Sequence, residues 1–154
     1  MSTKADTDIA QDIRKVLAPL MDPEIPVISL FDLGIIRDIT PGPPPMVTIT
    51  PTYMGCPATD MITGMIRRAL EDNGLGDVQI CNRLSPAWTT EWISEAGKAA
   101  LKAYGIDPPG PHPVTCPRCG STRTQCVSQF GSTPCKALYK CEDCLEPFDR
   151  FKCH

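Results

Sequence analysis

No stretch of this 154-residue chain is a run of apolar residues long enough to cross a bilayer. The opening Met1 to Met21 is charged and amphipathic and lacks the apolar core of a secretory signal. Several kinds of chemistry are missing as well. There is no Ser-His-Asp pattern, no phosphate-cradling glycine loop and no H-E-x-x-H helix. The paired Glu and Glu-x-x-His motifs of a di-iron carboxylate site are also lacking. Positive charge is in short supply: 15 Lys and Arg stand against 18 Asp and Glu, for a net charge of -3. That balance opposes a nucleic-acid binder of the general phosphate-gripping kind. A hydrophobic share of 42% is that of an ordinary soluble protein, and the expected location is the cytoplasm.

Cysteine, by contrast, is abundant. Nine residues, an odd number, in a chain read as cytosolic argue for metal or thiol chemistry over disulfides. Four of them form two C-x-x-C pairs, Cys116 and Cys119 in CPRC and Cys141 and Cys144 in CEDC. Two intervening residues let both sulfurs of one turn reach a single ion, and two facing turns complete a closed tetrahedral thiolate site of the structural zinc type. Between the pairs, TRTQCVSQF and KALYK are strand-like and are separated by Gly131-Ser132, the pattern of a β-hairpin finger. Residues 115–154 therefore read as a zinc ribbon, too small to bury a core of its own.

The preceding chain reads as a compact α+β domain over 7–105, joined to the ribbon by a stiff proline-rich linker over 106–114 that lies open to proteases. A helix is expected from Thr7 to Met21, with Ile9, Ile13, Val16, Leu17 and Leu20 on one face. Pro23 and Pro26 then force an extended loop. Ile35 to Thr40 and Met46 to Thr50 read as an antiparallel hairpin. A second helix carries Met61, Ile62, Met65, Ile66, Ala69 and Leu70, and stops at Asn73-Gly74. Val78, Ile80 and Leu84 mark a third strand, parallel to the second by a crossover. A last helix is expected from Thr89 to Tyr104, with Tyr104 on its apolar stripe. The whole is an α+β fold, with helices on a three- or four-stranded mixed sheet, followed by a β ribbon.

Cys56 is chemically distinctive. Pro57 follows it, and proline favours the first helical position, so Cys56 falls near the start of the second helix. There the helix dipole and free N–H groups favour a thiolate, a better nucleophile or soft-metal ligand. A small residue buried in a turn is the competing reading. Asp22, Glu24 and Asp32 sit in nearby loops, where carboxylates more often cap turns than bind metal. Cys126, Cys135, Cys153 and His154 are a candidate second metal site, set against packing roles for the thiols. His112, between prolines, reads as a solvated loop residue.

DPEIPVISLFDLGIIRDI followed by ITPTYMGCPA resembles the small domain shared by cytosolic iron-sulfur assembly factors of the SufT and MIP type. With FGSTPCKALYKCEDCLEPFDRFKCH added, nearly the whole chain resembles the PaaD family, also called PaaJ. That family is the D component encoded with the phenylacetyl-CoA epoxidase system of aerobic phenylacetate degradation. The resemblance implies a non-catalytic accessory role in assembling or inserting metal cofactor into a multicomponent oxygenase. Its partners would be the other subunits of that system, including an iron-sulfur reductase, and a homodimer is compatible with it. Cys56 matches the family cysteine, implied to hold iron or an iron-sulfur cluster transiently. Cys116, Cys119, Cys141 and Cys144 match the ribbon's zinc ligands. Leu145 stands where a glycine commonly follows the second C-x-x-C, which puts the local turn in question.

Two other classes compete. Arg118, Arg123, Lys136, Lys140, Arg150 and Lys152 make the ribbon end locally basic, as a nucleic-acid-binding module would be. A thiol-redox protein would need Cys56 to find a resolving cysteine in Cys81 or in the ribbon.

Overall fold

The computed structural model describes residues 4–52 and 58–152. The chain divides into two compact units, Met1–Trp88 and Thr89–His154.

In the first unit, α1 (Lys4–Leu17) turns Ile13 and Leu17 fully inward. Its polar face, rich in Asp and Lys, is left to solvent. The segment after it is not helical, as the two prolines require, and an isolated bridge joins Met21 to Ser29. Strands β1 (Ile36–Thr40) and β2 (Met46–Ile49) pair antiparallel. Helix α2 (Ala58–Asp72) follows, and β3 (Gln79–Asn82) then pairs parallel with β2. The sheet order is β1-β2-β3, a mixed three-stranded sheet with the most buried strand in the middle. Ala58, Ile62, Ile66 and Leu70 repeat every four residues and form the buried stripe of α2. Met61, expected on that stripe, is exposed, because it lies one residue, and so about 100° around the helix, from Ile62. The helix ends as its Asn73-Gly74 signal requires. Gly74 has φ +74°, and Leu75 N–H donates back to Leu70 O at 2.8 Å. Leu84 lies beyond the end of β3 and is exposed.

The second unit opens with a break that periodicity did not reveal. In place of one helix from Thr89 to Tyr104 there is a 3-10 turn, Thr90–Trp92, and a separate helix α3, Glu95–Ala103. Ile93 is extended, and the Ser94 hydroxyl accepts from Gly97 N–H at 3.0 Å. The serine offers a better N-terminus than a continuous helix would. Tyr104, expected on the apolar stripe, is exposed.

A four-stranded sheet follows in the order β4-β7-β6-β5, comprising β4 (Ile106–Asp107), β5 (Thr124–Ser128), β6 (Lys136–Cys141) and β7 (Pro147–Phe151). Strands β5, β6 and β7 form the antiparallel finger expected of a ribbon, while β4 joins β7 in parallel. The start of the expected linker is thus a strand of the ribbon sheet, and α3, expected to close the first domain, groups with the ribbon. Asp107 and Pro109 are buried, and Thr115 N–H donates to the Asp107 carboxylate at 3.0 Å.

A backbone held in this way resists proteases, which need an extended, unpaired segment. Brief digestion of the native protein with a protease of broad specificity is expected to leave 106–115 intact. A primary cut inside that segment would show it to be open.

Candidate metal centre

The two C-x-x-C turns meet. The Sγ atoms of Cys116, Cys119, Cys141 and Cys144 all lie within 4.8 Å of one another. Cys116 and Cys144 are 3.7 Å apart, and Cys119 and Cys141 are 3.5 Å apart. A tetrahedral zinc with Zn–S near 2.3 Å sets its sulfurs about 3.8 Å apart, and these two pairs stand close to that separation, so the four thiols suit such an ion. Each turn is shaped by its own backbone. Gly120 N–H donates to Cys116 O and Cys116 N–H to Ser121 O, both at 2.9 Å, while Cys141 N–H donates to Glu146 O at 3.0 Å.

The residue after each second cysteine is left-handed, Gly120 at φ +76° and Leu145 at φ +66°. Leucine therefore keeps the turn that glycine would make, at the steric cost of a Cβ in that region. Beneath the cluster, Cys116 and Cys141 are buried with Phe148, and Val114 and Tyr139 pack against them. The Tyr139 and Phe148 rings stack at 6.0 Å. Outside it, the two turns are bridged: Asp143 accepts from the Ser121 hydroxyl and from the Arg123 guanidinium.

The metal-free thiols titrate unequally. N–H groups of Cys144 and then Asp143 lower the Cys141 thiol to about 7. At Cys144 the Glu146 amide favours the thiolate, yet burial and the three neighbouring thiols outweigh it and push the group up to about 12. At Cys119 the Ser121 amide is likewise outweighed, by the Cys141 thiol and by burial, and the pKa is raised. The first thiolate to form thus opposes the others, and a divalent cation at the centre removes that opposition.

The other candidates are dispersed or lie elsewhere. Cys56 falls outside the described residues, as do Cys153 and His154. Cys126 is exposed on β5, and Cys135 is buried with the Thr133 hydroxyl 2.9 Å from its sulfur. Among the described residues neither joins a group of three or more ligand atoms. Asp22 is buried and caps the loop, accepting from Glu24 and Ile25 N–H at 2.8 and 2.9 Å. Asp32 accepts from the Ser29 hydroxyl at 3.0 Å. His112 keeps an exposed ring, but it is not merely solvated, since its Nε2 lies 3.2 Å from Asp107 Oδ1 and 2.9 Å from Arg150 Nη1.

Two polar residues escaped the sequence reading. Thr50, 1% exposed, carries a hydroxyl with no hydrogen-bond partner among the described residues, just past the end of β2. The other is Asp107, whose setting inside a proline-rich stretch hid its burial. Of the six cations thought to form a basic patch, Lys136 and Arg150 are buried, and Arg123 is paired with Glu142 and Asp143.

Residues 108–152 match the PaaD zinc beta ribbon domain, and residues 10–80 match the iron-sulfur cluster assembly protein family. Across 151 residues, 92% of each chain, the protein is 47% identical to the D component of the 1,2-phenylacetyl-CoA epoxidase of Escherichia coli (strain K12). The chain belongs to the PaaD family. Two further matches cover about three-fifths of this PaaD-family chain. An Fe-S protein maturation auxiliary factor of Porphyromonas gingivalis is 36% identical over 94 residues, 59% of this chain and 89% of that one. The crystal structure of a domain of unknown function, DUF59, from Bacillus anthracis shares the fold at a TM-score of 0.56 and 24% identity, covering 62% of this chain and 92% of that one.

Two outcomes follow from this geometry. Purified protein should contain one tightly held metal ion per chain, and Cys119→Ser should lose it and unfold the ribbon selectively, because metal-binding free energy is the folding free energy of such a module. Elemental analysis decides this, and unchanged metal in the variant would count against it. Leu145→Gly should raise the thermal midpoint of the ribbon, by up to about 1 kcal/mol in stability, since it relieves the left-handed Cβ at some cost in chain entropy. Calorimetry of the metal-loaded protein measures the shift.

Proposed function

We propose that this protein is a non-catalytic accessory factor of the phenylacetyl-CoA epoxidase system that helps to load iron or an iron-sulfur cofactor into its oxygenase or reductase. The observation that carries the reading is the union, in one chain, of an iron-sulfur assembly domain with a PaaD-type ribbon, over nearly the full length of the Escherichia coli relative. Cys56 is the transient ligand in this reading. It stands just ahead of α2, which begins at Ala58, and few protein ligands at such a place allow soft-metal cargo to be passed on. Cys116, Cys119, Cys141 and Cys144 hold zinc. Zinc in a closed four-thiolate site supplies folding free energy and no redox chemistry, so the ribbon is a docking module for the partner subunits and not the carrier.

The decisive experiment replaces the gene in a phenylacetate-degrading strain by one encoding Cys56→Ala. The alanine removes little volume, and the fold should survive at a cost of about 1 kcal/mol. Growth on phenylacetate should fail while the oxygenase is present and under-loaded with iron. Full growth with fully loaded oxygenase would sink the role given to Cys56.

A further inference from the structure

We propose that Arg150, together with Asp107, is a positioning residue for the zinc site, fixing the place of Cys116 among the four sulfurs through the loop 108–115. The inference rests on the reading of the four cysteines as zinc ligands.

Parallel pairing of β4 and β7 sets Asp107 opposite Arg150, and both are buried, at 3% and 8% exposure. A charged pair taken out of water is retained only where its hydrogen-bonding groups are satisfied. Here they are satisfied mainly by the loop. Arg150 Nη1 donates to Asp107 Oδ2, and Nη2 donates to the carbonyls of Gly110 and His112 at 3.1 and 3.5 Å, while His112 Nε2 lies 3.2 Å from Asp107 Oδ1 and 2.9 Å from Arg150 Nη1. Asp107 Oδ2 also accepts from Thr115 N–H, next to the first ligand. Joining two strands would take one of these bonds; the others are aimed at the approach to Cys116.

That approach does little to hold itself. Within the loop the Thr115 hydroxyl donates to Pro113 O at 2.8 Å, but Pro108, Pro109, Pro111 and Pro113 have no N–H donors. Packing does not substitute for them on every side. Cys116 and Thr115 share the lining of a cavity of about 270 Å³ with Asp107 and His112. Cys141 differs, because it ends β6 and is held by the strand ladder. Among the two buried ligands, only Cys116 depends on this loop. Lysine cannot take over from Arg150, since an ammonium lacks the planar fork that reaches both the carboxylate and the two carbonyls.

The test uses the full-length protein, with zinc release to a chromophoric chelator and the visible spectrum of the cobalt(II)-substituted form as readouts. Arg150→Met is expected to weaken zinc affinity about 10–100-fold, the range for groups that orient metal ligands from outside the coordination sphere, and to alter the cobalt bands of a regular four-thiolate site. Arg150→Lys should fail to restore either. Asp107→Asn, which keeps the volume, should move both in the same direction and serves where Arg150→Met does not fold. A wild-type protein that holds no zinc would overturn the reading of the cysteines. Wild-type zinc binding with unchanged cobalt spectra in the variants would overturn the positioning role, even if those variants release zinc faster or unfold more easily, because binding and folding are linked and a merely structural pair would lower both without touching the ligand geometry.

Discussion

Four thiols held within 4.8 Å of one another cannot all ionise in the absence of a cation, and the second unit is organised around that constraint. Its antiparallel finger brings the two C-x-x-C turns face to face, and a short apolar layer of Phe148, Val114 and Tyr139 supports them. A core of this size stabilises little by burial alone. A divalent ion converts mutual repulsion into four bonds and supplies the missing free energy at one point. Exposed residues nearby, Arg123, Ser121 and Asp143, then have a limited task, which is to keep the two turns in register.

The ribbon sheet extends further than a minimal zinc module. Strand β4 adds a parallel edge to β7, and α3 leads directly into it. The proline-rich segment is therefore enclosed by structure at both ends, and its stiffness transmits the position of β4 to Cys116. A flexible linker of the same length would leave Cys116 to its own turn with Gly120 and Ser121, because nothing in the linker's backbone would be fixed.

In the first unit the comparable feature is the end of β2. The most buried strand of the sheet is followed by Thr50, whose buried hydroxyl has no partner among the described residues. The loop capped by Asp22 belongs to the same unit, as does α2, which contacts α1 and buries its four-residue stripe.

Much of this was legible in the residues. Two C-x-x-C pairs suffice to specify the ribbon, since their spacing fixes which sulfurs can share an ion. The hairpin, the crossover to β3 and the stop at Asn73-Gly74 follow from period-two and period-four patterns and from glycine's freedom at positive φ. Local signals failed where long-range pairing competed with them. DPPGPHPV reads as a linker because prolines discourage regular structure, yet Ile106 and Asp107 at its start find β7, more than forty residues away. Arg150 reads as a surface cation until its partners, Asp107 and the carbonyls of Gly110 and His112, are brought to it by that pairing. Sequence determined which residues could bind metal and most of the helices and strands, with β4 and the break before α3 as the exceptions. Only the tertiary structure decided which charges were taken out of water, because burial depends on what the rest of the chain lays over a residue, and no local pattern carries that information.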